Sequence, residues 1–76
     1  MKRFFFDYKT KDQSLFDYRG QEFHSIQAAL EFAQAMAYDL THSLTENWAG
    51  WSVEVSSAEG ERYFSVPIEN HELRAM

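Results

Sequence analysis

The chain has 76 residues, which bounds it to one domain, and it contains no Cys, which excludes a disulfide framework or a thiolate site. Its net charge of −5 is unevenly divided: residues 1–19 carry five Lys/Arg against three Asp, a net of +2, and residues 20–76 carry two Arg against nine acids, a net of −7. The sum argues against holding nucleic acid by bulk electrostatics, and no apolar run approaches the ~20 residues of a membrane helix.

The opening MKRFFF has the charge of a signal peptide's start, but Asp7, Lys9, Lys11 and Asp12 break it before an apolar region develops. A cytoplasmic location is expected. Residues 3–8 read as a strand, since aromatic residues suit a pleated, half-buried surface. Phe4, Phe6 and Tyr8 share one face of it and Arg3, Phe5 and Asp7 the other. Lys9 to Gln13 is turn-like, and residues 15–18 form a short second strand. Gly20 falls where a backbone angle unfavourable to a Cβ is expected, and Phe23 stands just before a helix, placed to pack on its first turns.

That helix is expected over 25–44. Ile26, Ala29, Leu30, Ala33, Met36, Ala37, Leu40 and Leu44 recur at three- and four-residue spacing, a single apolar stripe. Ser25 is placed as its N-cap. Phe32 sits at the edge of the stripe with Ala28 and Ala35 beside it, either a side wall of the core or a small contact patch. A loop holding Trp48 follows. Residues 51–56 alternate with Trp51, Val53 and Val55 inward, Ala58-Glu59-Gly60 turns, and residues 62–68 alternate with Phe64, Val66 and Ile68 inward and Tyr63 and Ser65 outward. Pro67 cannot donate to a ladder, so it marks an edge or a strand end. Residues 69–76 read as a frayed tail.

The order ββαββ predicts an α+β fold: a two-layer sandwich with a four-stranded, mainly antiparallel sheet and one helix across one face. Strand order is not readable. Trp48 and Trp51 are expected to plug the helix–sheet core. The sheet's other face exposes Phe5 and Tyr63, with Arg3 nearby.

Little chemistry is visible. His24, His42 and His71 form none of the spacings of a metal site. Ser25 is used as a cap, and Ser52, Ser56 and Ser65 occupy outward strand positions, so no nucleophile is paired with a base. Asp7 and Glu54 become cross-strand neighbours if their strands pair, but nothing in the sequence buries one to split their roles. Asp7-Tyr8-Lys9 is a D-x-K fragment of very low specificity, and three isolated Gly do not make a phosphate loop. No catalytic residue, metal ligand or cofactor is assigned.

The residues Met1-x-Arg3-Phe4-Phe5-Phe6-Asp7, the segment Asp17-x-x-Gly20-x-Glu22-Phe23, the Ala-rich helix and the closing hairpin at Glu59-Gly60 together resemble a family of short alphaproteobacterial, largely rhizobial, proteins known as a domain of unknown function. The resemblance covers nearly the whole chain. The chain departs from the family pattern in its Trp48/Trp51 loop and at Lys9-Thr10-Lys11. The resemblance implies a bacterial cytoplasmic protein with the same ββαββ order and supplies no activity to carry over. The expected function is a non-catalytic protein-interaction domain, with Arg3, Phe5, Tyr63, Ala28, Phe32 and Ala35 as candidate contact residues. A homodimer or an unidentified protein is the expected partner. The alternative is a nucleic-acid-binding accessory domain that stacks bases on Phe5 and Tyr63 beside Arg3; a small hydrolase is the third.

Overall fold

The computed structural model describes residues 1–43 and 47–68. In chain order its elements are β1 (Lys2–Lys9), β2 (Ser14–Leu15), β3 (Gln21–Phe23), α1 (Ile26–Thr41), β4 (Ser52–Ser57) and β5 (Arg62–Pro67). All pairings are antiparallel. The expected α+β sandwich is present, with five strands rather than four. β1 is central: β4 lies on one side of it, with β5 beyond, while β2 and β3 share its other side. β2 covers Tyr8 and Lys9, and β3 covers Lys2 to Phe4.

The second strand is shorter than expected. It ends at Leu15, and residues 16–20 leave the ladder before Gln21 rejoins it as a third strand. Period-2 alternation alone cannot register this break, because Leu15 and Asp17 are held by different things, a ladder and a turn. β4 starts and ends one residue later than expected, β5 ends one residue earlier, and the tail at 69–76 lies outside the described residues.

The helix begins where Ser25 caps it: the Ala28 N–H donates to Ser25 Oγ at 3.1 Å. It runs to Thr41, and Leu44 lies outside the described residues. Its buried centre is Ala29, Ala33 and Ala37, flanked by half-buried Phe32, Met36 and Leu40. Three alanines let the helix backbone approach the sheet closely, while the large side chains come from the strands: Phe4, Phe6, Val53 and Val55, with Ile68 after β5. The contact face is thus rotated away from Leu30 and Ile26, which sit at its rim; Ile26 is exposed and Leu30 half-buried. Phe32 belongs to the core's side wall, 5.1 Å from the Phe6 ring and 5.2 Å from that of Phe23 (centroid distances). Trp48 and Trp51 close the far end as an edge-to-face pair at 5.4 Å, with Tyr8 at 5.5 Å from Trp48.

Both sheet edges are blunted. On the outer edge the Ile68 N–H donates back to Trp51 O, so by alternation the nitrogen of Pro67 points outward, where no donor is available. A register shift opposite Val55/Ser56 adds a bulge to the same strand. The other edge is made of strands of two and three residues.

Phe4→Ala should cost about 3–5 kcal/mol, the range for truncating a fully buried aromatic, whereas Leu30→Ala should cost less than about 2 kcal/mol. Urea denaturation of the two variants checks the face assignment; equal losses would contradict it.

Candidate functional site

Among the described residues, the end of β2 and the loop between β2 and β3 carry the largest exposed apolar side chains outside the chain's first residue and the helix. Leu15 is 50% exposed, Phe16 60% and Tyr18 89%. Phe16 and Tyr18 stand 6.5 Å apart, ring to ring. The residue between them is what holds the loop. Asp17 Oδ1 accepts from the Arg19 and Gly20 N–H groups, both at 3.0 Å, and Oδ2 accepts from the Phe6 N–H at 3.1 Å. The Asp17 N–H in turn donates to Asp7 Oδ1 at 2.9 Å. A side-chain carboxylate thereby takes the place of the strand that is missing opposite Phe6.

Two further residues complete this clasp. Gly20 has φ +73°, and a Cβ there would meet Arg3 Cγ, Phe4 O and Phe5 Cε2, each at 2.9 Å. Glycine is required both by the backbone angle and by the close approach. Arg3 spans the joint: its guanidinium donates to Arg19 O at 2.8 Å and pairs with Glu22 at 3.3 Å. Arg3, Asp17, Gly20 and Glu22 are therefore one structural unit.

Asp17 titrates low. Burial acts to raise its pKa, but the N–H groups of Gly20, Phe6 and Arg19, with the Arg19 charge, outweigh this and hold it below the usual carboxylate range. Glu54, only 9% exposed although it lies on the sheet face away from the helix, behaves alike. Burial pushes it up, and the Ser52 and Ser65 hydroxyls, each donating at 2.6 Å, with Arg62 and Lys9 nearby, bring it down overall. Asp7 and Glu54 are indeed cross-strand neighbours.

The loop is a ridge between two depressions. On the helix side a groove of about 530 Å³ has Phe6 and Tyr8 among its lining, with Phe32 and Met36 from the helix, Leu15 from β2 and Arg19 from the loop. On the open face a trough runs beside the ridge in two parts, about 360 and 220 Å³, which share Asp7, Phe16, Ser56 and Gly60. The first part adds Phe5 and Tyr18, the second Glu54, Lys9 and Arg62.

The candidate contact residues read from sequence do not form one surface. Phe5 is on the open face, half-buried, and lines the trough. Arg3 is on that face too, with its guanidinium already engaged. Tyr63 is a correction: the bulge in β5 turns it to the helix side, where its ring lies 5.7 Å from buried Phe4. The pair of open-face aromatics expected from Phe5 and Tyr63 is therefore absent. Phe32 is in the core wall, Ala28 is half-buried and Ala35 exposed on the helix. Periodicity does not single out Phe16 and Tyr18; the Asp-x-x-Gly spacing between and after them, a turn signature, is the signal that could have found them.

Among the described residues no group of three or more His, Cys, Asp or Glu could hold a metal ion, and no helix is long and apolar enough to cross a membrane. A family model described as a domain of unknown function, DUF6894, matches residues 3–69. The chain belongs to the DUF6894 family. The match runs from the second residue of β1 past the end of β5 and includes the whole Arg3, Asp17, Gly20 and Glu22 clasp. No curated protein and no solved structure matches the chain.

The clasp has a measurable weight and a pH dependence. Asp17→Ala should lower stability by about 1–3 kcal/mol, since three main-chain donors lose a charged acceptor. Because Asp17 is depressed in the folded state, its contribution is complete above the ordinary carboxylate pKa and is lost as pH falls through the folded one. The stability gap between parent and Asp17→Ala should therefore narrow as pH drops below about 4; denaturation at pH 7 and at pH 3 measures it, and a gap independent of pH contradicts the assignment.

Proposed function

We propose that this DUF6894 chain is a non-catalytic protein-docking domain whose contact element is the Leu15–Tyr18 ridge. One observation carries the reading: Leu15 at the end of β2, and Phe16 and Tyr18 on the loop after it, are exposed where the backbone is already tied down by the Asp17 carboxylate. Clustered exposed apolar side chains mark contact surfaces, and aromatics at rigid positions bind with little further loss of conformational freedom. Aromatic anchors beside a groove are the usual centre of a binding surface. The reading is also supported by the state of Asp17 and Glu54, which are engaged as acceptors of hydrogen bonds rather than set apart as acid and base.

Self-association through strand edges is disfavoured by Pro67, the bulge and the short edge strands, so a homodimer, if formed, would use the ridge. The setting, on this reading, is the cytoplasm of an alphaproteobacterium, which the resemblance of the opening and Asp-x-x-Gly-x-Glu segments suggests.

Site-specific photo-crosslinking in the source cell tests the proposal. A benzophenone side chain at position 18 or 16 should give one discrete product, and the same group at exposed Gln34 on the helix should not. A product at twice the chain mass would identify the partner as a second copy. The same product pattern from all three positions, or none from 16 and 18, overturns the ridge as the contact element.

A further inference from the structure

The open-face trough has a chemistry more specific than apolar contact. Phe5, Phe16 and Tyr18 line its first part, and Asp7 lies between this part and the second. Asp7 is the exceptional acid here. Glu54 is answered by Arg62 at 3.8 Å and by two serine hydroxyls. Asp17 spends both oxygens on main-chain donors. Asp7 has Oδ1 on the Asp17 N–H and leaves Oδ2 without a hydrogen bond among the described residues. The basic residues nearby are engaged elsewhere: Arg3 is held by Glu22 and Arg19 O, Arg19 lines the groove on the other side of the ridge, and Arg62 and Lys9, which line the second part of the trough with Asp7, act on Glu54. Aromatic faces attract a cation through their quadrupole, and a carboxylate at the same site adds a charge-assisted partner.

We propose that the trough between Phe5, Phe16, Tyr18 and Asp7 receives a cationic side chain, an arginine or lysine, from the protein that docks on the ridge. This rests on the docking reading above and names the partner's chemistry. The guanidinium would stack on the exposed Tyr18 and Phe16 rings and turn an N–H toward Asp7 Oδ2.

The test is an NMR titration of the full chain with the peptide acetyl-Gly-Gly-Arg-Gly-Gly-amide and with its citrulline counterpart, which has the same shape without the charge. Saturable shifts at Phe5, Asp7, Phe16 and Tyr18, with a dissociation constant on the order of 1–10 mM, are expected for the arginine peptide. The citrulline peptide should bind at least about five-fold more weakly, as should the arginine peptide to Asp7→Asn and to Tyr18→Ala. Asp7→Asn keeps an acceptor for the Asp17 N–H, and Tyr18 is almost fully exposed, so both variants should retain the parent's spectrum elsewhere. Equal binding of the two peptides overturns the cation site while leaving the docking ridge intact. No shift at these residues with either peptide, up to about 20 mM, also overturns it, and the crosslinks from positions 16 and 18 then judge the ridge separately.

Discussion

The carboxylate of Asp17 stands where a strand would otherwise be. β1 needs cover along its outer edge, because a buried or half-buried main-chain N–H left without an acceptor is costly. β2 and β3 are too short to meet, and Phe6, whose side chain is in the core, falls in the gap between them. One carboxylate oxygen closes the gap at the Phe6 N–H, and the other folds the adjoining turn by accepting from Arg19 and Gly20. Gly20 must then lie flat against Phe4 and Phe5, which only a residue without Cβ can do at φ +73°. Arg3 and Glu22 tie the far side. A five-stranded sheet with an interrupted edge is thereby satisfied along β1.

The same constraint makes a surface. Because the turn is drawn in by Asp17, the residues on either side of it are turned out, and they are aromatic. A loop held only by its ends would let Phe16 and Tyr18 fold over neighbouring apolar surface; a loop pinned at its middle cannot. The ridge, its two grooves and the unused carboxylate oxygen of Asp7 are therefore consequences of one hydrogen-bonding arrangement. Residues 3–69 share the family's pattern, and the positions in it with the most demanding geometry, Arg3, Asp17, Gly20 and Glu22, act on the backbone and on one another. The conspicuous Asp-x-x-Gly-x-Glu segment builds the scaffold, and its neighbours Phe16 and Tyr18 are what it presents.

Much of the architecture is legible in the residues. The α+β class, the helix with its Ser25 cap, the pairing of Phe4 and Phe6 on one face, the closing hairpin and the edge position of Pro67 all come from periodicity and from what single residues can or cannot do. The differences have physical causes. Tyr63 reads as outward because alternation assumes an unbroken ladder, and a one-residue bulge reverses the face of the residues beyond it. The apolar stripe read from spacing holds Ile26 and Leu30 as well as the alanines, whereas close packing on a sheet of aromatic strands buries Ala29, Ala33 and Ala37 and leaves Ile26 and Leu30 at the rim. The third strand is invisible in sequence because three residues, Gln21 to Phe23, give no periodic signal; their pairing with Lys2 to Phe4 comes with the clasp, whose Arg3–Glu22 ion pair joins the two strands. The candidate contact surface is the least legible part, since Phe16 and Tyr18 read as strand residues until the turn between them is recognised.

The central claim is that Asp17 holds the Phe6, Arg19 and Gly20 N–H groups in solution. Native-state amide hydrogen exchange measures this residue by residue. Protection of Phe6 and Gly20 comparable to that of the paired β1 amides, with Arg19 also slowed, is the predicted result. Exchange of Phe6 and Gly20 at the rate of an unstructured chain, while the β1–β4 ladder stays protected, would mean that the loop is not pinned and that Phe16 and Tyr18 are not presented as a fixed surface.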